Sequence, residues 1–295
     1  MGNLPKDLNL YQTSKCNFNC VFCRRLSEGV PEAPDVTSTL VEKIFKKFPI
    51  SSCCIAGFGE PLMSKGVFDV VSTLNKKGVN PSIITNGSLI VDRFSEIKKA
   101  NLLYVNVSLN TAVPGKHKGI TGTDTEEAVL AGIYKLVSLD RFPVFISMVV
   151  LKNNYEDIPA FLERVYSLGA FRTLLLNSLP YNEEAEKKII TEDDIEIIWQ
   201  IDEFIAFYKG RMAVSRPRYL KASPDHCCDS PWKAIGVDGN GSITGCRRVH
   251  GPHIKHGSIE DKDIWDNRYI SELRLGVAGK GTYAKYCNRC FGNVR

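Results

Sequence analysis

No apolar run in this chain approaches the roughly 18 residues that cross a bilayer, and the first fifteen residues, MGNLPKDLNLYQTSK, contain no apolar segment of the secretory kind. The expectation is a cytoplasmic protein with no membrane partner. A surplus of either charge is also missing. Lys and Arg number 38 against 33 Asp and Glu, a net charge of +5, and they are spread without long runs. That gives nucleic acid no support as a partner and leaves only a slight bias toward anionic ligands. There is no internal repeat and no low-complexity tract, which excludes solenoids and disordered chains. What is present, 43% hydrophobic and 24% charged residues in 295, is the balance of a globular protein.

Cysteine is the residue in excess. Ten cysteines fall at 16, 20 and 23, at 53 and 54, and at 227, 228, 246, 287 and 290. In a reducing compartment, clustered thiols read as metal or redox ligands before they read as disulfides.

From about residue 7 to 205, apolar strand-like runs alternate with amphipathic helical ones. The strands fall at about 8–14, 53–59, 81–86, 103–109, 144–151 and 171–178. Six such repeats predict an α/β fold, a partial (β/α)6 TIM-like barrel, with chemistry at the C-terminal ends of the strands. Past residue 210 the texture changes. The stretch RMAVSRPRYLKASPDH is irregular, Asp238-Gly239-Asn240-Gly241 between two apolar runs signals a β-hairpin, and 262–277 forms one helical segment. The domain division is therefore 1–210 for the barrel and 211–295 for a small C-terminal domain, of a size that gains from a metal staple.

Cys16, Cys20 and Cys23 stand as C-x3-C-x2-C in the loop after the first strand. Structural zinc wants four protein ligands and this motif supplies three, whereas a [4Fe–4S] cluster held by three cysteines keeps one iron open. The spacing and its position resemble the radical S-adenosylmethionine (SAM) superfamily. Phe22 stands at the aromatic position of that family's motif. Gly59-Glu60-Pro61 after the second strand is similar to its GGEP segment, although Phe58 replaces a glycine found in some members. Thr85-Asn86-Gly87 after the third strand resembles its TNG turn, and Ser108 with Asn110 its V-S-L-D/N segment. The resemblance implies that Phe22, Gly59, Glu60, Pro61, Thr85, Asn86, Ser108 and Asn110 contact SAM. It also implies that the cluster's electron cleaves SAM to a 5′-deoxyadenosyl radical, with a flavodoxin- or ferredoxin-type electron donor as partner.

Cys228, Cys246, Cys287 and Cys290 bracket the hairpin and close with C-x2-C. Four thiolates alone suit zinc or iron–sulfur equally. Behind such a barrel they resemble the SPASM/Twitch extensions, and the cysteine count matches the shorter Twitch form with one auxiliary [4Fe–4S] cluster. The doublet leaves open whether Cys227 or Cys228 is the ligand, and a spare Cys227 is the candidate hydrogen-atom donor of an epimerase. Cys53, Cys54, Trp232 and Trp265 read as core, His250, His253 and His256 as a loop, and Arg247 and Arg248 as a solvated or substrate-facing pair.

The functional expectation is hydrogen abstraction from a small polar, sugar- or aminocyclitol-like substrate, ending in dehydrogenation or epimerisation. The alternatives are modification of a ribosomal peptide and, from another class, a non-catalytic iron–sulfur or zinc scaffold.

Overall fold

The computed structural model describes residues 4–25, 29, 32–179, 183–219, 228–246, 257–281, 287 and 290. A single nine-stranded sheet runs through it. Its strands are β1 (Asp7–Tyr11), β2 (Ser52–Ala56), β3 (Ser82–Thr85), β4 (Val105–Ser108), β5 (Val144–Val150), β6 (Arg172–Asn177), β7 (Ala213–Ser215), β8 (Ala234–Asp238) and β9 (Ile243–Thr244). The spatial order is β7-β6-β5-β4-β3-β2-β1-β8-β9. Every neighbouring pair is parallel except β8 with β9. Helices connect β1 through β7, so the partial barrel expected from the alternating pattern is the observed fold.

Register divides the strands into two faces. Leu8, Leu10, Ile55, Ile83, Val105, Val107, Ile146 and Met148 are buried against the helices. The residues between them point into the barrel. Helix Ser38–Lys47 illustrates how the outer layer is specified. Thr37 caps it by accepting the Leu40 N–H at 3.3 Å, and Leu40, Val41 and Ile44 recur at helical spacing to cover the sheet. Among the described residues no helix is long and apolar enough to cross a membrane.

Two features depart from the sequence reading. β7 lies in the stretch read as irregular, because three residues are too few to show a period; it pairs with β6 from Arg172↔Ala213 to Leu174↔Ser215. The hairpin forms where Asp238-Gly239-Asn240-Gly241 placed it, but it is not set apart from the barrel. β8 lies parallel to β1 from Asp7↔Ala234 to Tyr11↔Asp238, and the hairpin continues the sheet. Its tip packs on the segment after the first cysteine motif. Asn240 Nδ2 donates to the Glu32 carbonyl at 3.0 Å, and a Cβ on Gly239 would stand 1.7 Å from the Pro34 carbonyl oxygen, so only glycine fits. Trp265 is buried, 6.3 Å from the Phe48 ring, as expected of a core residue. Trp232 is instead 40% exposed and lies 6.0 Å from the Arg274 guanidinium. Cys53 packs in the core, while Cys54 falls on the opposite, inward-facing side of β2 and is partly exposed.

Candidate active site at the barrel mouth

The loop carrying Cys16, Cys20 and Cys23 leaves β1 at its C-terminal end and is braced by the chain itself. Asn19 N–H donates to the Thr121 carbonyl at 2.8 Å and Val21 N–H to that of Ile120 at 3.0 Å. Glu60 N–H donates to the Lys15 carbonyl at 2.8 Å. Arg25 donates to the carbonyls of Ser14 and, at 3.0 Å, Phe58. Within the loop, Phe18 N–H reaches Cys16 Sγ at 3.4 Å and Cys23 N–H the Cys20 carbonyl at 2.8 Å.

Burial pushes the Cys20 thiol up to about 12, and the neighbouring thiols of Cys23 and Cys16 add to the rise. Burial likewise raises Cys16, against the Phe18 N–H that favours its thiolate. Cys16 and Cys20, desolvated and costly to ionise alone, stand with Cys23 as a donor set that a cationic group would stabilise as thiolates. In the second set the same effect is seen at one thiol. Burial raises Cys287 to about 12, with Cys246, Cys290 and Cys228 adding to the rise, so the fold brings those four thiols together. Among the described residues no three His, Cys, Asp or Glu side chains form a single-ion site. Both sets suit a multi-iron cluster, which takes one thiolate per iron.

The strand-end residues divide by role. Glu60 is buried and turns both oxygens inward. Oε1 accepts from Thr85 Oγ1 at 2.7 Å and Leu62 N–H at 3.0 Å, and Oε2 from Asn86 N–H at 2.6 Å. Burial pushes its carboxyl above the ordinary value, against those three donors. By strand alternation Thr85 lies on the helix side of β3, so Glu60 and Thr85 build the loop from behind. Pro61 is buried at the start of the short turn Pro61–Met63 that Glu60 caps. Gly59 makes the close approach possible, since a Cβ there would stand 2.3 Å from the Lys15 carbonyl and 2.4 Å from that of Thr13.

Asn86 completes the frame. Its Nδ2 donates to Asn17 Oδ1 at 2.8 Å, Asn17 Nδ2 donates to Ser88 Oγ at 2.9 Å, and Ser88 Oγ donates to Asn86 Oδ1 at 2.8 Å. Asn17 was missed in the sequence because an asparagine between cysteines carries no periodic signal. Ser108 faces the lumen, 3.4 Å from Ser147 Oγ. Asn110 holds a positive φ of 61° and accepts the Val149 N–H through Oδ1 at 3.1 Å, tying the β4 loop to β5. Beside the thiols lies a cavity of about 280 Å³, lined by Tyr11, Phe22, Cys23, Arg24, Phe58 and Val149 among others. Phe22 therefore faces open space, and Arg24, which had no expected role, brings a cation to it. Cys227, Arg247, Arg248, His250, His253 and His256 lie outside the described residues.

A parallel α/β barrel with a three-thiol loop at its first strand end, and a second thiol set on a hairpin beside that strand, defines a class of iron–sulfur enzyme. The sequence profile described as the radical SAM superfamily matches residues 10–165, and one described as an iron–sulfur cluster-binding domain, SPASM, matches 227–291. The chain belongs to the radical SAM superfamily and carries a C-terminal SPASM/Twitch-type domain. Its cofactors are SAM, the SAM-binding [4Fe–4S] cluster and an auxiliary cluster.

Among curated proteins, a probable GTP 3′,8-cyclase of Saccharolobus islandicus (strain L.S.2.15 / Lassen #1) is 31% identical over 95% of this chain and 93% of its own length, as is that of Saccharolobus solfataricus. That of Methanocaldococcus jannaschii is 30% identical over 62% of each chain. Among solved structures, native anSMEcpe with bound AdoMet has a TM-score of 0.75 at 18% identity, covering 99% of this chain and 90% of that one. Streptococcus suis SuiB bound to S-adenosylmethionine gives 0.73 at 17%, covering 92% and 68%.

These relatives overturn the expected reaction. Dehydrogenation or epimerisation of a sugar-like substrate was inferred from the auxiliary cluster and a spare thiol. Cysteines report which clusters a chain holds, and not which substrate meets them. The relatives that match nearly the whole chain bear the name of a nucleotide cyclase. The chain is an enzyme of this superfamily, and its relatives name neither dehydrogenation nor epimerisation.

Proposed function

We propose that this chain is a nucleotide cyclase that joins positions 3′ and 8 of GTP. The observation that carries the reading is the similarity to GTP 3′,8-cyclases along 95% of the chain, through barrel and C-terminal region alike. The mouth is consistent with it, because Arg24 supplies a cation where a triphosphate would meet the opening, 5.3 Å from the Phe58 ring.

Cys16, Cys20 and Cys23 would hold the SAM-binding cluster, and Cys228, Cys246, Cys287 and Cys290 the auxiliary one. When bound, the first cluster and SAM supply the one-electron chemistry that begins hydrogen abstraction. The chain's own residues set the geometry. Glu60 pins the strand-end loops of β2 and β3 together, and the Asn17–Asn86–Ser88 ring fixes the cysteine loop against them. The backbone at Gly59, with Phe22 and Ser108, then faces the ligand. Asn110 acts by holding β4 to β5. The wall of β1 through β6 keeps water from the reacting atoms. A flavodoxin- or ferredoxin-type protein is the electron donor in this reading. The C-terminal region, taken from 211 to 295, is the auxiliary-cluster domain even though its first hairpin extends the barrel sheet.

The test is anaerobic turnover of reconstituted enzyme with SAM, dithionite and GTP. The expected result is GTP-dependent 5′-deoxyadenosine and an isomer of GTP with unchanged mass. Release of 5′-deoxyadenosine with GTP untouched overturns the reading.

A further inference from the structure

Helix Ile195–Phe207, between β6 and β7 in the chain, is apolar on both sides. Ile197, Ile198, Ile201, Phe204 and Ile205 pack on the core, and that stripe is enough to seat a helix on the sheet. The opposite side of such a helix is ordinarily polar. Here Ile195, Trp199 and Phe207 stand on it, 72%, 62% and 63% exposed. At 3.6 residues per turn the three share one outward arc of about 120°. Phe207 carries the surface on through Tyr208 to the exposed Tyr166 of the neighbouring helix, with ring centroids 5.2 and 6.0 Å apart. Single exposed apolar side chains are ordinary, whereas a continuous run of them marks a surface that another molecule covers.

The charges at the two ends of the helix indicate which molecule. Asp193 and Glu196 are exposed at its N-terminal end, Lys209 and Arg211 just past its C-terminal end. Arg211 lies 4.8 Å over the Phe207 ring. An acidic protein or an anionic membrane would match the basic end and be repelled at the acidic one. A second copy of the same helix, antiparallel about a two-fold axis level with Ile201, matches both ends. Ile195 then faces the partner's Phe207, and Asp193 faces the partner's Lys209. Trp199 faces the partner's Glu203, to which its indole N–H can donate. The two Trp199 side chains fall about one helical turn apart across the axis, near enough to cover each other.

We propose that this face is the interface of a symmetric homodimer, closed by two antiparallel copies of helix Ile195–Phe207 around Trp199.

The experiment is anaerobic sedimentation velocity of the reconstituted holoenzyme across a wide range of concentration. Wild type should show a monomer–dimer equilibrium. Trp199→Glu should raise the dimer Kd by roughly a hundredfold or more, as the loss of a central aromatic anchor does. Trp199→Gln serves as the second variant should glutamate not fold, and Tm at a concentration where all forms are monomeric checks the fold. Asp193→Lys and Lys209→Glu should each raise Kd by roughly tenfold, because each places like charges opposite one another twice in the dimer. Combining the two should restore nearly the wild-type Kd, an outcome that only the antiparallel pairing of these two positions gives. Wild type that stays monomeric overturns the proposal. So does a dimer that withstands both Trp199 variants, or a double reversal as weak as the single ones. Monomeric wild type that co-sediments with phosphatidylcholine vesicles, and ceases to with Trp199→Glu, overturns it in favour of a lipid surface.

Discussion

The two thiol sets of this chain are assembled in opposite ways. Cys16, Cys20 and Cys23 lie within eight consecutive residues, on a loop tied by backbone hydrogen bonds to Ile120 and Thr121, by Glu60 N–H to Lys15, and by the Asn17–Asn86–Ser88 ring. Cys228, Cys246, Cys287 and Cys290 are spread over 63 residues and meet only because separate segments converge. Near the thiols, Cys246 N–H donates to Thr244 Oγ1 at 3.2 Å, Thr244 Oγ1 donates to the Cys246 carbonyl at 3.0 Å, and Cys290 N–H donates to the Cys287 carbonyl at 3.1 Å. The first set is shaped by the polypeptide before any ligand binds. In the second, a bound group would contribute folding energy by tying together segments far apart in the chain.

Removing the first set should therefore abolish chemistry and spare the fold. With Cys16, Cys20 and Cys23 all changed to Ala, 5′-deoxyadenosine formation falls to background, iron drops by about half from a two-cubane load, and the Tm of the barrel moves little. Residual SAM cleavage would show that these cysteines are not the ligands. The complementary change, Cys287→Ala with Cys290→Ala, should lose the auxiliary iron and make the chain after β9 sensitive to limited proteolysis, while β1 to β8 stay protected. Retention of full iron content, or an equally protected C-terminal region, breaks the contrast.

Gly59→Ala tests how firmly the first loop is fixed. The new methyl would lie 2.3 Å from one backbone carbonyl and 2.4 Å from another, neither able to swing aside as a side chain would. The expected cost is about 2–4 kcal/mol from forced backbone displacement, together with a higher KM for SAM. A neutral substitution would mean that the loop yields, and that its bracing is weaker than the hydrogen bonds suggest.

Legibility followed the same division. β1 to β6 were readable to within a few residues, because their helix-facing rows are apolar apart from Thr85 and Thr173 and are bounded by turn residues. The C-x3-C-x2-C loop was readable because the relevant spacing is local. The pairing of β8 with β1 was not. A parallel partner more than two hundred residues away leaves no mark in AIGVD, whereas the hairpin turn announces itself in four residues. The inward turn of Glu60 was equally hidden, since a carboxylate after a strand has the same sequence whether it meets a ligand or the Thr85 hydroxyl. The substrate was misread for a related reason. Cysteine count constrains the clusters, and a side chain at the mouth such as Arg24 carries no motif.

The smallest effect belongs to the surface ion pair between the two regions. Lys43 Nζ lies 2.7 Å from Glu260 Oε1, bridging helix Ser38–Lys47 and the C-terminal region, yet the two side chains are 50% and 66% exposed. Solvent screening and the entropy of two long side chains leave such a pair close to neutral, so Lys43→Ala should shift Tm by at most a few degrees. The adhesion comes instead from apolar and backbone contacts: the Phe48–Trp265 edge contact, the approach of Gly239 to Pro34, and the sheet pairing of β8. Limited proteolysis of Lys43→Ala should accordingly give the wild-type pattern. Release of the C-terminal region in this variant would mean that surface charge holds the second set against the barrel, and that the bound group contributes less to its folding than the contrast between the two thiol sets requires.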